Sequence, residues 1–353
     1  MNEAVTSLQR VLTALGHQEP DRVPVFLLFT MHGAKELGLS LSEYYANPMN
    51  LVEAQLRLAQ KFGHDCLYAF WYAASEATAF GCEVIFYKDC PPNVGAPVAR
   101  QSIDLLSRPL PDPTAVSPLK DTLEAIHLLA ERNQGRRPII GVVMAPFSLP
   151  IMLLGLERWI TLLYEEPPVA HRLLAYLSDF CVAWANAQLA AGAHAIAFFD
   201  PMASATMTTL EQFQTFDLEV ARSTIARIKG PCAYHFASGR AGPVLNLVPQ
   251  TGAAAVVVGV QDDLKAVKTS LQGRLGVMGT LNGIEMVRWT PEEAEAAVKA
   301  CLAAAGPGGG FILTDQHGEI PFYVPDETLF AIIDAAQRWG QYPLEWTRKY
   351  DPA

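Results

Sequence analysis

Eight short apolar runs, separated by longer stretches of helical periodicity, constrain this chain more than any other feature. They are Val23–Phe29, Asp65–Phe70, Ile139–Val143, His194–Phe199, Cys232–Phe236, Ala254–Val260, Leu275–Met278 and Phe311–Thr314. Each is nearly continuous in apolar character, the pattern of parallel strands buried on both faces. Glu83–Tyr87 reads as a further short strand. Helical patterns cover Leu51–Phe62, Leu119–Arg132, Pro168–Ala190, Thr290–Ala305 and Asp326–Trp339. The Thr290 segment carries a full start signal, with Pro291 in the first turn, Glu293 three residues past Thr290, and Gly306 as the stop.

This alternation predicts an α/β fold, a (β/α)8 TIM barrel, as one domain over residues 1–353. No GxGxxG follows the first strand, which argues against a dinucleotide-binding sheet. The opening segment MNEAVTSLQRVLTALG reads as an amphipathic helix with Leu8, Val11, Leu12 and Leu15 on one side. Seven prolines between Lys88 and Pro118 predict an irregular excursion, of the kind that covers a barrel mouth.

Composition narrows the partners. With 26 Lys+Arg against 36 Asp+Glu the net charge is −10, which gives no footprint for nucleic acid. Half the residues are hydrophobic and only 18% are charged, so disorder is excluded and a large core is expected. No apolar run reaches the roughly 20 residues that span a bilayer, so no membrane partner is expected. The six cysteines are scattered without a CxxC pair, as in a reduced, cytoplasmic protein.

A barrel carries its chemistry at the C-terminal ends of its strands. The polar residues there are Asp200, His235, Asp315, His317 and Glu319. His235 and His317 are candidate acid–base groups or metal ligands. Asp315 and Glu319 are candidate partners that orient a histidine. Each could equally serve a loop backbone. Phe29, Trp71, Tyr72, Phe199 and Tyr234 also stand at strand ends and would line an aromatic pocket if they point inward.

The ordered set of segments resembles the uroporphyrinogen decarboxylase superfamily over nearly the full chain. It comprises Leu15–Val25, Ala145-Pro146-Phe147-Ser148-Leu149, Phe199-Asp200-Pro201 with Ala203-Ser204, the His235 segment, Gly276–Asn282, and His317-Gly318-Glu319-Ile320-Pro321 with Pro325-Asp326-Glu327. The resemblance implies a barrel with its site in the mouth. Decarboxylases of that group hold substrate carboxylates with arginines after the first strand and pyrroles with an aspartate after the second. Here Phe29-Thr30-Met31-His32-Gly33 contains no arginine, and Tyr72 stands where the aspartate is expected.

The chain is similar instead to the corrinoid-dependent methyltransferase branch, through its opening segment, Glu76-Ala77 ahead of Gly81, and Asp200-Pro201. That similarity implies methyl transfer between a small methyl ether, methylamine or thiol and a corrinoid (methylcobalamin) carried by a partner corrinoid protein docked at the mouth. His235, His317 and Asp315 are then the expected catalytic groups. Phe29, Trp71, Tyr72, Phe199, Asp200 and Tyr234 would bind substrate. Thiol-methylating members bind zinc through His-x-Cys and a later Cys. Here Ala237 replaces the first Cys and His317 stands at or beside the second, so a zinc site would need His235, His317 and a third ligand such as Glu319 or Asp315. Three rival readings are a decarboxylase or lyase of a small acid anchored by Arg240, a non-catalytic family member, and a zinc hydrolase on the same barrel.

Overall fold

The computed structural model describes residues 5–99 and 102–350. Met1–Ala4 of the expected first helix, Arg100–Gln101 of the excursion and the last three residues lie outside the described residues.

Seven of the eight expected runs form ladder strands: β1 Leu67–Tyr68, β2 Ile139–Met144, β3 Ala195–Phe199, β4 Cys232–His235, β5 Ala255–Val257, β6 Gly276–Leu281 and β7 Phe311–Asp315. They pair in chain order and all in parallel. The first run, Val23–Phe29, corrects the expectation of eight regular strands. It is an extended segment with a single parallel bridge, Val25 to Leu313. Pro24 has no N–H to give, which limits the ladder there. The segment still bonds both edges of the sheet. Phe26 N–H donates to Leu313 O at 2.8 Å, Leu313 N–H to Pro24 O at 2.9 Å, and Asp65 N–H to Val25 O at 2.8 Å. The cylinder is thereby closed.

The helices follow their strands: α1 Ser7–Leu15 before the barrel, then α2 Pro48–Phe62, α3 Leu119–Asn133, α4 Pro167–Ala191, α5 Leu218–Ile225, α6 Leu264–Leu271, α7 Pro291–Ala305 and α8 Asp326–Trp339. The capping box at Thr290 and Glu293 forms as the sequence predicts. Only a 3-10 turn, Val248–Thr251, lies between β4 and β5. The expected strand at Glu83–Tyr87 is shorter, Val84–Ile85. It pairs antiparallel with Asn93–Val94 in a ribbon outside the barrel, where the Pro-rich excursion begins.

Strand parity sorts the side chains into two layers. Phe26, Leu28, Tyr68, Ile140, Val142, Ala197, Val257, Met278 and Ile312 pack together inside the cylinder, with Val11 of α1 against them. Val25, Leu27, Phe29, Phe198, Tyr234, Phe236 and Leu313 belong to the outer core between strands and helices. At the N-terminal end, buried Asp65 ties the closure together. Its carboxylate accepts from Arg10 at 2.8 Å, Arg22 at 2.7 Å, Ser7 Oγ at 2.8 Å and the Val25 N–H at 2.9 Å. No helix among the described residues is long and apolar enough to cross a membrane.

Candidate active site

β4 ends on His235, whose parity turns it inward. Its Nδ1 accepts the Ala237 N–H at 2.9 Å. In a neutral imidazole the proton therefore resides on Nε2, a tautomer assigned from this hydrogen bond. That Nε2–H is buried and has no partner among the described residues. Burial lowers the His235 pKa to about 3, and His317 adds to the effect. His235 is thus a neutral, unspent hydrogen-bond donor. Phe199 of β3 packs beside it, ring centroids 4.9 Å apart.

β7 ends on Asp315, which is wholly buried. Its Oδ2 accepts the N–H groups of His317 and Gly318, both at 2.9 Å, so the carboxyl caps the tight turn after the strand. Its Oδ1 has no partner. Burial raises the Asp315 pKa to about 7, outweighing the two backbone bonds that oppose it. Gly318 has φ +85°, which a glycine adopts without strain. The same turn carries Glu319, whose Oε2 accepts the Thr30 hydroxyl at 2.7 Å. Burial raises the Glu319 pKa too. Among the described residues neither carboxyl pairs with a Lys or Arg side chain.

His317 is half-buried and faces sideways. Its Nε2 lies 3.2 Å from Gln316 Nε2, and its ring lies against Gly283 in the loop after β6. The structure therefore brings His235, Phe199, Gly318, Asp315 and Glu319 to one end of the barrel and leaves His317 at its margin.

Three expected substrate contacts do not face the mouth. Phe29 lies behind its strand against Phe62 and His64, ring centroids 5.3 and 5.1 Å away. Asp200 and Tyr234 lie in the outer layer in one network. Ser148 Oγ donates to Asp200 Oδ1 at 2.5 Å, and the Tyr234 hydroxyl contacts Asp200 at 3.2 Å and Asp217 more closely. One phenolic proton cannot serve two acceptors, so one carboxyl must donate to the phenol oxygen. Burial accordingly raises both carboxyl pKa values, and the charge of Asp200 raises Asp217 further. Trp71 and Tyr72 are buried in an aromatic wall beside the mouth. Trp71 Nε1 donates to Tyr45 O at 3.0 Å, and Tyr72 meets the Tyr45 ring edge-on at 5.1 Å.

The expected zinc set does not assemble. Glu319 is engaged by Thr30, and His235 would need the other tautomer, losing its Ala237 bond, to ligate through Nε2. Among the described residues no group of three or more His, Cys, Asp and Glu side chains is arranged to hold a metal ion. Arg240, the anchor of the small-acid alternative, is exposed.

Sequence reading missed Thr30, Tyr45 and Gly318. Parity would have found Thr30, because it follows the inward-facing Phe26 and Leu28 by even steps. Above this floor lies an aromatic rim. Phe86 and Tyr87 of the ribbon and Tyr323 of the last loop are 40%, 46% and 60% exposed and border one groove with Leu39–Ser42, Phe322 and the charged pair Lys88 and Asp89.

Comparison with known proteins fits this architecture. The sequence model of the family described as uroporphyrinogen decarboxylase (URO-D) matches residues 6–339. A uroporphyrinogen decarboxylase of Alkalilimnicola ehrlichii is 26% identical, over 95% of each chain. The methylcobamide:CoM methyltransferase MtbA of Methanosarcina mazei is 25% identical, over 95% of this chain and 98% of its own. A solved methyltransferase structure from Methanosarcina mazei superposes with a TM-score of 0.86 at 21% identity, covering 95% of this chain and 99% of that one. The chain belongs to the uroporphyrinogen decarboxylase (URO-D) family.

Proposed function

We propose that this chain, an enzyme of that superfamily, transfers a methyl group between a small methyl ether or methylamine and a corrinoid carried by a partner protein. The observation that carries the reading is that no cationic clamp stands at the mouth among the described residues. Its floor holds two carboxyls, Asp315 and Glu319, neither paired with a Lys or Arg side chain. A polyanionic tetrapyrrole needs such a clamp. A neutral or cationic substrate does not, and the aromatic surroundings suit a methylated ring or amine. Similarity to MtbA supports the same class.

The corrinoid, when its carrier docks, supplies the cobalt that takes or gives the methyl group. The exposed aromatic residues Phe86, Tyr87 and Tyr323, with Lys88 and Asp89 between them, offer its carrier a mixed aromatic and charged face. The residues of this chain serve the small substrate. In ether cleavage the methyl carbon–oxygen bond breaks and the oxygen must take a proton. His235 Nε2–H donates a hydrogen bond to that oxygen. Asp315, protonated near neutrality on its free Oδ1, supplies the proton. Phe199 and Gly318 pack beside His235, and the substrate oxygen must reach the Nε2–H at that contact. Thiol methylation through a resident zinc is not part of the reading, because the ligands do not assemble.

The test mixes the protein with reduced cobalamin and a panel of methoxyarenes, methylamines and thiols, and follows cobalamin absorbance. Methylation of cobalamin by an ether or amine, lost in His235→Asn, is the expected result. Decarboxylation of a porphyrinogen at a comparable rate, or no methyl transfer with any donor, overturns the proposal.

A further inference from the structure

The barrel interior is under-filled on one side. In a (β/α)8 barrel, bulky branched side chains normally fill the cylinder in layers. Here the inward positions toward the N-terminal ends of three consecutive strands carry only methyl groups, with Ala195 and Ala197 on β3, Ala233 on β4 and Ala255 on β5. Phe26, Tyr68 and Ile140 stand on the remaining wall. Ala195 and Ala233 consequently keep accessible surface, although they lie on central parallel strands. An apolar cavity of about 80 Å³ results. His235 bounds it at one end, and Leu8, Val11, Leu12 and Leu15 of α1 bound it at the other.

We propose that this cavity is a second ligand site, for a small uncharged apolar molecule of arene or short hydrocarbon class, entered from the N-terminal face beneath α1. This site lies on the opposite side of His235 from the Gly318 turn and does not depend on the methyl-transfer reading. Three observations carry it. The lining is almost wholly carbon, so an interior water would lack the two to four polar partners it needs, and a dry cavity of this kind takes apolar guests. The space is only partly enclosed, and half-buried His194 and exposed Pro231 border it near α1. Finally, α1, though anchored through Ser7 and Arg10, covers this end incompletely, since Leu12 is 60% exposed although it borders the cavity. A guest would complete the packing that the alanines leave unmade and support the underside of the His235 ring.

Xenon is the direct probe, because it is apolar and electron-dense. Crystals of the full chain under xenon pressure should show xenon between α1 and His235. Benzene should raise Tm saturably by about 1–3 °C, and Ala233→Leu, which fills the space, should abolish both effects. Xenon absent from the cavity, ordered water in its place, or an undiminished benzene shift in folded Ala233→Leu protein overturns the proposal. If that variant does not fold, xenon occupancy in the unaltered chain decides alone. Neither readout requires methyl transfer, so failure here is distinct from failure of the functional reading.

Discussion

The imidazole of His235 looks onto the bare α-carbon of Gly318: a Cβ placed there would stand 3.0 Å from Nε2 and 3.0 Å from Phe199 Cε2. The glycine thus packs directly against the unspent N–H of the site, where a side chain would press on His235 and Phe199. Gly318→Ala should reduce kcat/KM for methyl transfer at least about tenfold, equivalent to about 1.4 kcal/mol. Strain at φ +85° should also cost about 1–2 kcal/mol of stability. Kinetics and thermal melts check both. Unchanged kcat/KM would mean that no reacting atom reaches that contact.

The proton donor has its own signature. Asp315 carries a pKa raised to about 7 by burial, whereas His235, lowered to about 3, stays neutral across the working range. Ether cleavage should therefore slow along a limb as pH rises through about 7. Asp315→Asn should lower kcat and remove the limb at once, while His235→Asn should lower kcat and leave the limb in place. A pH–rate profile whose limb survives in Asp315→Asn would assign the proton elsewhere.

Tyr234 and Asp200 illustrate what the sequence made legible and what it did not. The alternation of apolar runs was enough to give the barrel, because parallel strands buried on both faces have few other arrangements. It also located the strand ends, and with them His235 and Asp315. It did not resolve parity there. Phe29 and Thr30 are neighbours, as are Phe199 and Asp200, and Tyr234 and His235, but one of each pair faces the interior and the other the helices. Chemical appeal drew attention to Phe29, Asp200 and Tyr234, while a step of two from Phe26 would have selected Thr30. The irregular Val23–Phe29 segment was invisible for a different reason: its run is apolar, but only its pairing reveals what Pro24 removes. Tyr45, far from any strand end, reaches the mouth through tertiary packing and left no local signal.

Tyr234→Phe tests the reassignment. The hydroxyl lies between two buried carboxyls in the outer layer, so its loss should leave a polar group unsatisfied and cost about 1–3 kcal/mol of stability. With the mouth untouched, kcat should stay within about twofold. Denaturant melts and steady-state kinetics on the same preparation check this. A large kcat loss without destabilisation would return Tyr234 to the catalytic set.

Barrel closure depends on a charge cluster. Asp65 receives Arg10 and Arg22 and also the Val25 N–H of the irregular first segment. Asp65→Ala would leave both guanidiniums near the barrel floor without their buried partner and orphan that N–H. Removing one member of a buried pair costs about 3–5 kcal/mol. Thermal unfolding should show a loss of this order, and hydrogen exchange should rise first in α1 and Val23–Phe29. A loss below 1 kcal/mol would mean that solvent readily replaces the carboxylate.

Glu76 gives the clearest link between pH and stability. It is fully buried, its Oε1 accepts the Met144 N–H at 2.8 Å, and its Oε2 has no hydrogen-bond partner of full geometry among the described residues, the Trp184 side chain giving only a weak opposing contact. Burial raises its pKa from 4.5 to about 8. Below pH 4.5 the folded and unfolded chains both hold the proton, and the stabilising difference is fully present. Between 4.5 and 8 the unfolded chain releases the proton and the folded chain keeps it, so stability falls as pH rises through that window. Glu76→Gln retains an oxygen for the Met144 N–H and cannot titrate. Relative to the unaltered chain, the variant should therefore gain stability from pH 5 to pH 8, by about 3–4 kcal/mol. Urea melts of both proteins at the two pH values measure the difference directly, and the other titrating groups cancel between them. Parallel pH profiles for the two proteins would mean that Glu76 is already ionised in the fold, with a cation or water reaching its free oxygen.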